Sequence, residues 1–564
     1  MLRRTSGFRR TSVLRRTVAG IAVLGLTALA VAACSSSATS PSSKAATGRT
    51  LVVENNPQPN FTDTFNPFAA TSTGKSQNAL ALFYEPLMQF NNLKAGTTYP
   101  WLAKSFTWSP DGKSITFVLR DGVKWSDGQP FTADDVAYTF QLMAQNKALN
   151  YIGVPITGAT TSGNSVTVSF ESPEYTNIYG IAGQTWIVPK HIWSKQSDPA
   201  TWTDPAPIGT GPYLMDKFTA QGFTLKANTA YWGGMPPVSK VSFPAYSSND
   251  VALTALTQGE IDYGGNNVNK IQENFVAKDP AHNHYFFPAT NTVVLIPNVT
   301  KWPFTEQAVR LAVSAGINRQ QLSTQGETGY EPPATSSSGL LLPNFNANVP
   351  PNMQNDLAPT PDAAEVTSIM TAGGFAKDSK GIWAKGGKEV SFSVEDPTSY
   401  TDYYADAQII AQNLKPLGFD VKVNGVTPDQ WNNDLSAGTF SSAIHWGAGG
   451  PTAYSQYDGW LDYNLVSGKT AVGDQGRWND QATQQALTEF AAAATPDAQQ
   501  AAINKVATIV STQAPVIPLL YGAGWFEYTT KNYTGWPTQN DPYVDPSPNQ
   551  ANVEYVILHL KPAV

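Results

Sequence analysis

The chain has few of the residues that carry metal and redox chemistry. Its 564 residues include one cysteine, Cys34, and five histidines. A single cysteine excludes an intrachain disulfide and a metal site built from cysteine thiolates. His282 and His284 form the only close pair of histidines. Alternation along a strand could place both as metal ligands, but we interpret them as part of an exposed loop after Asp279. We therefore expect no metal and no cofactor.

Motifs of catalysis are also missing from the sequence. It contains no G-x-S-x-G elbow, no H-E-x-x-H helix, no phosphate-binding P-loop and no EF-hand loop. Aspartates and glutamates are scattered, and no two of them stand out as a glycosidase pair. The formal net charge of −7 argues against nucleic acid as the partner. We predict that the protein is not an enzyme and does not bind nucleic acid.

Long apolar runs are absent except near the N-terminus. Six arginines lie in residues 1–33, where they precede the apolar run 18–33 and the sequence Val-Ala-Ala-Cys that ends at Cys34. This arrangement predicts a secretory signal peptide over 1–33. The end of the run resembles the lipobox of bacterial lipoproteins, which implies cleavage before Cys34 and lipid on its sulfur. Ordinary cleavage that leaves Cys34 free and an uncleaved anchor remain alternatives. Removing the arginines changes the net charge from −7 to −13.

A Ser-rich segment comes next in the chain, and a long folded body comes after it. Residues 34–48 show no apolar periodicity and predict a flexible tether. The body is too long for one core, so we expect two or three lobes. Charged residues make up only 14% of the chain, whereas Gly (44) and Pro (41) are frequent. This balance favours a loop-rich architecture of helices and strands.

The most informative stretch is 101–141. A turn at 109–112 precedes apolar residues that alternate at 115, 117 and 119, which predicts a strand. Thr132, with Asp135 three residues later, predicts a capping box at the start of a helix. Four other stretches of the chain are also distinctive. They are Tyr-Glu-Pro-Leu at 84–87, Gly-Thr-Gly-Pro-Tyr at 209–213, a predicted amphipathic helix over 303–322 that Thr305 caps, and Pro-Val-Ile-Pro-Leu-Leu-Tyr at 515–521.

Together these motifs resemble the family 5 extracellular solute-binding proteins, from about residue 50 to 530. Members are receptors of ATP-driven (ABC) importers for oligopeptides, dipeptides, nickel chelates and some oligosaccharides. The resemblance implies an α/β fold of the periplasmic-binding-protein-like type II, with two hinged lobes and an extra domain. It implies lobe I from 49–72, 209–295 and 518–564, an extra domain from 73–208, and lobe II from 296–517. It further implies a lipid-anchored monomer at the extracytoplasmic face of the membrane, with ABC permease subunits as partners.

Aromatic residues concentrate in two glycine-rich stretches, 440–463 and 521–543. We interpret both as loops, and because loops run over the surface their aromatic rings would line a cleft. Asparagine side chains near residue 55 would add hydrogen bonds to a sugar. The predicted ligand-binding residues are Asn56, Trp446, Tyr454, Trp460, Trp525 and Tyr528.

The ligand class is less defined than the fold. The family as a whole favours an oligopeptide, which is our first expectation. In oligopeptide-binding relatives the loop after the equivalent of Trp446 carries an aspartate for the ligand amine, whereas residues 447–450 here include no acid. The stretch Gly-Trp-Pro-Thr at 535–538 resembles oligosaccharide-binding members, so an oligosaccharide is the alternative. Scarce histidine makes a nickel chelate the weakest option, and a sensor role without transport is a further alternative.

Overall fold

The computed structural model describes residues 49–94, 97–342, 344–447, 450–549 and 552–563. The expected signal peptide, Cys34 and tether lie outside these ranges. Within them, no helix combines the length and the apolar character that crossing a bilayer requires.

A five-stranded mixed sheet organises the C-terminal half of the chain. Two of its strands, Ser391–Pro397 and Ser442–Trp446, run parallel to each other, and Ala289–Pro297 runs antiparallel to Ser442–Trp446. Every residue of Ala289–Pro297 except the first is buried, as expected for a strand covered on both faces. The strand order is Asp420–Val426, Ser391–Pro397, Ser442–Trp446, Ala289–Pro297, Ile517–Ala523.

Two four-stranded sheets form most of the N-terminal half. One begins with Leu51–Val52 in parallel pairing with Lys240–Pro244, and its order is Leu51–Val52, Lys240–Pro244, Gly222–Ala227, Tyr213–Thr219. The other is fully antiparallel, with the order Ala103–Trp108, Ser114–Leu119, Ser165–Phe170, Ile156–Ser162. The other strands of the described residues form smaller sheets. Two sheets have three strands each: Tyr263–Gly264, Glu527–Thr529 and Asn283–Tyr285 form one, and Ala376–Lys377, Trp383–Lys385 and Lys388–Glu389 form the other. Three sheets have two strands each: Met88–Phe90 with Thr98–Pro100, Val466–Ser467 with Thr470–Ala471, and Tyr533–Thr534 with Lys561–Pro562.

The helices pack against these sheets. The α-helices of seven or more residues are Ala133–Gln145, Asn249–Thr257, Gln307–Gly316, Ala363–Ala372, Thr401–Leu414, Pro428–Ala437, Ala453–Leu461, Gln481–Ala491, Pro496–Gln513 and Val553–His559. Shorter α-helical turns are Thr73–Ser76, Leu80–Phe83, Lys190–Trp193, Ile271–Asn274 and Arg319–Gln321. This mixture of sheets and helices confirms the predicted α/β class.

The stretch from 101 to 141 folds largely as predicted. Ser114–Leu119 is a strand that buries Ile115, Phe117 and Leu119 on one face. Thr132 and Asp135 form a reciprocal capping box, which satisfies N–H groups at the start of Ala133–Gln145 that have no partner inside the helix. The helix predicted over 303–322 is shorter. It spans Gln307–Gly316 with Glu306, not Thr305, at its N-cap.

The Gly-Thr-Gly-Pro-Tyr motif is a point of close backbone approach. The N–H of Gly211 donates to the Phe83 carbonyl oxygen at 2.9 Å. A Cβ atom at Gly209 would lie 1.8 Å from that same oxygen, and one at Gly211 would lie 2.5 Å from the Leu82 oxygen. Only glycine fits these positions, so the motif has a packing role.

The structure corrects the interpretation of the two aromatic stretches as loops. Tyr454 and Trp460 belong to the helix Ala453–Leu461, and Tyr528 belongs to the strand Glu527–Thr529. The predicted lobe limits at 295/296 and 517/518 fall inside Ala289–Pro297 and Ile517–Ala523, which both pair within the five-stranded sheet. The lobe assignment itself stays a prediction.

Candidate functional site

A cavity lies at the edge of the five-stranded sheet where two of its three parallel strands, Ser391–Pro397 and Ser442–Trp446, end. Its empty volume is about 620 Å³, and Trp446 contributes to its wall from the last position of Ser442–Trp446. Tyr400, Asp402 and Tyr403 follow the neighbouring strand Ser391–Pro397 and line the same cavity. Ligands of α/β proteins bind at the carboxyl ends of parallel strands, which is where this cavity lies.

Neighbouring rings hold the aromatic side chains of the wall in place. The Trp446 ring lies 5.5 Å from that of Trp431 and 6.2 Å from that of Tyr403, measured between centroids. Trp525 packs edge-on against Phe287 at 4.9 Å and is itself 5% exposed. Fixed rings of this kind lose little conformational freedom when a ligand packs on them.

Asparagines supply most of the polar wall. Their lining positions come from separate parts of the chain, and five of them donate an amide N–H to another residue of the protein. An amide group can donate and accept hydrogen bonds, so it suits hydroxyl and peptide groups. The lining asparagines are Asn56, Asn249, Asn266, Asn267, Asn291 and Asn549.

Buried carboxyl groups lie behind this wall. Burial raises the pKa of Asp402 to about 6 and that of Glu331 to about 8. Burial, followed by the charges of Glu331, Asp402 and Asp406, raises the pKa of Glu327 well above its usual value. On another side, burial raises the pKa of Glu54 to about 7. Carboxyl groups packed together without a basic partner resist ionisation, and here they border a cavity.

A second, larger cavity adjoins the first. Its empty volume is about 1380 Å³, and it shares Trp446 and Asn549 with the first cavity. Lys75, Asp458 and Trp460 line it. The shared wall residues place the two cavities next to each other, so that together they form one cleft.

The structure brings four of the six predicted ligand-binding residues to this cleft. Asn56, Trp446 and Trp525 line the first cavity, and Trp460 lines the second. Their contact with a ligand stays a prediction.

Tyr454 and Tyr528 lie outside both cavities. Tyr454 faces a separate space of about 370 Å³ and packs edge-on against Phe490. Tyr528 stacks on Phe526 with 4.6 Å between ring centroids. Both rings are buried because a helix and a strand turn them into the core, where a loop would have left them at the surface.

Several residues that line the first cavity were not predicted from the sequence. Asn249, Asn266, Asn267 and Asn291 carry no motif, and only the fold brings them together. The segment from Tyr400 to Tyr403 could have been predicted as part of a binding site, because it follows a strand and consists of aromatic and polar residues.

The histidine pair does not lie in an exposed loop as predicted, since both side chains are half-buried and His284 is part of a strand. His282 contacts Asp279, and His284 lies on the strand Asn283–Tyr285 against Tyr528. Across the ranges that the structure describes, no three His, Cys, Asp or Glu side chains converge as metal ligands would.

The fold and the cleft define an extracellular solute-binding protein. The model of the bacterial extracellular solute-binding proteins, family 5 (middle region) matches residues 97–466. This chain belongs to that family. The family supplies the substrate-binding proteins of ABC importers, and this chain is one of them, acting outside the cytoplasm. The resemblance stated from the motifs is confirmed.

Individual relatives differ in what they bind. The chain is 27% identical over 388 residues to the nickel-binding periplasmic protein of Escherichia coli, which covers 66% of this chain and 71% of the relative. It is 24% identical over 524 residues to a probable peptide-binding protein of Agrobacterium fabrum, and the match covers 82% of this chain and 83% of that relative. Among solved structures, the periplasmic oligopeptide-binding protein of an ABC transporter from Thermotoga maritima, with mannohexaose bound, superposes on this chain with a TM-score of 0.82 at 23% identity. The superposition covers 92% of this chain and 99% of that protein.

Proposed function

We propose that this solute-binding protein captures an oligosaccharide and delivers it unchanged to its ABC permease. One observation carries the proposal: among the described residues, six asparagines and four aromatic side chains line the first cavity, and no lysine, arginine or histidine does. The flat faces of Trp446 and Trp525 suit the apolar faces of sugar rings, whereas the amides suit their hydroxyl groups.

An oligopeptide is the second candidate, and two charged residues favour it. A peptide that keeps its charged ends needs a carboxylate for the amine and a cation for the carboxylate, since an unpaired buried charge costs several kcal/mol. Asp402 lines the first cavity and Lys75 the second. The pair offers one partner for each end of an extended peptide.

A panel of ligands separates the two candidates. A ligand that binds only the folded protein raises its melting temperature, by an amount that corresponds to about 2.7 kcal/mol at a hundredfold excess over Kd. We expect stabilisation by neutral oligosaccharides such as cellotetraose or mannohexaose, and none by tri- to pentapeptides of mixed sequence. Stabilisation by the peptides alone would replace the first candidate with the second.

We also propose that a lipid on Cys34 anchors the protein and that it works as a monomer. A single acyl chain binds membranes only marginally, whereas two or three hold firmly, at about 0.8 kcal/mol for each buried CH₂. Metabolic labelling with palmitate should mark the wild-type protein and not Cys34→Ser. Release of the wild type into the medium without label would contradict the anchor.

A further inference from the structure

We propose that the first cavity selects its ligand by hydrogen-bond direction and charge. It accepts groups that donate hydrogen bonds, such as neutral hydroxyl or ammonium groups, and it excludes carboxylates and phosphates. The inference deepens the proposed function and rests on it. The solute would therefore be a neutral or amine-bearing oligosaccharide, not one built from uronic acids or sugar phosphates.

The first support is the way buried carboxyl groups orient two asparagines. Asn266 Nδ2 donates to Glu54 Oε2 at 2.6 Å, and Asn267 Nδ2 donates to Glu327 Oε2 at 2.8 Å. In both pairs the carboxyl Oε2 atom is the acceptor, so the amide nitrogen faces it and the amide oxygen faces elsewhere. Glu54 and Glu327 act as positioning residues that leave acceptor oxygens at the cavity wall.

Two further amides show the same direction, whereas the Asn549 amide oxygen accepts from Ser547 Oγ at 2.7 Å. Asn249 Nδ2 donates to Asp402 Oδ1 at 3.1 Å, and Asn56 Nδ2 donates to the Ser76 carbonyl oxygen at 2.8 Å. Asn291 is 6% exposed, and its Oδ1 accepts no hydrogen bond from the residues that the structure describes. A buried acceptor without a partner is destabilising, and a ligand donor that reached this oxygen would remove that cost.

The second support is charge. Asp402 reaches the cavity itself, Asp406 lies behind it on the same helix, and Glu327, Glu331 and Asp396 lie behind it on other parts of the chain. None of the described side chains that line the cavity is basic. An anionic ligand group would meet amide oxygens and the Asp402 carboxyl group with no basic side chain to pair with, whereas an ammonium group would find partners.

The pH dependence of binding depends on the same groups. Burial raises the pKa of Asp402 to about 6, with the charge of Asp250 adding to the effect. An ammonium group favours the ionised form, so its binding releases protons from Asp402 and the carboxyls behind it. Affinity for an ammonium group that stays protonated over this range, such as a lysine side chain, should therefore rise as the pH increases from 5 to 7, and affinity for a neutral sugar should change less.

Three tetramers that share one β-1,4-linked glucopyranose backbone test the proposal by calorimetry. They are cellotetraose, the glucosamine tetramer and the glucuronate tetramer. We expect the first two to bind at least about tenfold more tightly than the third, since an unpaired anion costs more than 1.4 kcal/mol. Equal affinity for the glucuronate tetramer would overturn the proposal.

Substitutions at Asp402 give an independent test. At pH 6, where glucosamine still carries charge, Asp402→Asn should lower the ratio of glucosamine to cellotetraose affinity about tenfold. Asp402→Glu should preserve the preference, which guards against a loss that reflects misfolding. Glu273→Gln, an exposed residue with the same charge change, is the matched control and should leave the ratio unaltered. An unchanged ratio in Asp402→Asn would contradict the proposal.

Two tripeptides separate this inference from the proposed function. If Ala-Lys-Ala or Ala-Glu-Ala binds and none of the tetramers does, the oligosaccharide assignment fails. A preference for Ala-Lys-Ala of at least about tenfold would then still support selection by charge. Equal binding of the two tripeptides would overturn it.

Discussion

The rings of Tyr403 and Trp446 lie 27° from parallel, with 6.2 Å between their centroids. The Tyr403 hydroxyl also donates to Glu331 Oε1 at 3.2 Å, so the tyrosine is held by a ring contact and by a buried carboxyl group. One residue thus connects the aromatic part of the wall to the acidic groups behind it. A ligand packed on Trp446 meets a surface that is already ordered.

We predict that Trp446→Ala weakens ligand binding by about 2 kcal/mol or more, because the substitution removes an ordered aromatic face at the junction of both cavities. Trp446→Phe should recover part of the loss. Calorimetry with whichever oligosaccharide stabilises the wild type gives the measurement. Affinity that is unchanged in Trp446→Ala would place the ligand elsewhere.

Tyr528 provides the control for that experiment. Tyr528→Phe removes a hydroxyl from a ring that lies outside both cavities. We expect it to leave the affinity within about twofold, since the ring does not line the cleft. A loss as large as that of Trp446→Ala would return Tyr528 to the ligand site.

We predict that Gly211→Ala destabilises the protein by about 3 kcal/mol or more, because its Cβ would lie 2.5 Å from the Leu82 carbonyl oxygen, where backbone must move. Gly158→Ala is the matched control, as its Cβ would meet no atom within 4 Å. Urea unfolding measures both. Equal stability of the two variants would refute the packing role of the motif.

We predict that stability falls as the pH rises, with Asp204 as one cause. Burial raises the pKa of Asp204 from 3.8 to about 7, and it accepts a hydrogen bond from Tyr84. The folded state therefore holds a proton that the unfolded state releases. The stability this provides is complete below pH 3.8 and is lost as the pH rises through about 7.

Asp204→Asn tests this pH dependence. Asparagine tolerates the φ of 48° at this position and cannot ionise. The free energy of unfolding of the Asp204→Asn variant, minus that of the wild type, should increase with pH between about 4 and 7, by up to about 1.4 kcal/mol per pH unit. Asp198→Asn, at an exposed carboxyl, is the charge-matched control. A constant difference for Asp204→Asn between pH 5 and 7.5 would contradict the prediction.

Local signals in the sequence were sufficient where one segment determines its own structure. The capping box of Thr132 and Asp135 and the alternation at Ile115, Phe117 and Leu119 are examples, because turns and strand periodicity act over a few residues. They also carried the resemblance to the family.

The aromatic stretch after residue 450 shows how such signals are misinterpreted. Thr452 caps a helix in which Tyr454, Tyr457 and Leu461 recur at helical spacing and are buried. The glycines and proline around it suggested a loop instead. The helical period was present in the sequence, but composition outweighed it in the interpretation.

Apart from Asn56, the asparagine wall could not be predicted, for a different reason. Asn249, Asn266 and Asn291 lie in separate segments of the chain, and an asparagine on its own is equally typical of turns. Their common role depends on where strands end and on which carboxyl groups lie behind them. Only tertiary structure supplies that information.

The most direct test of the account is native mass spectrometry of the full-length protein isolated from its own host, followed by identification of the small molecule that it releases on unfolding. We predict one neutral or amine-bearing oligosaccharide per chain, recovered without chemical change and lost when Trp446 and Trp525 are both replaced by alanine. A released peptide or acidic sugar, or the same ligand retained by the double variant, would contradict it.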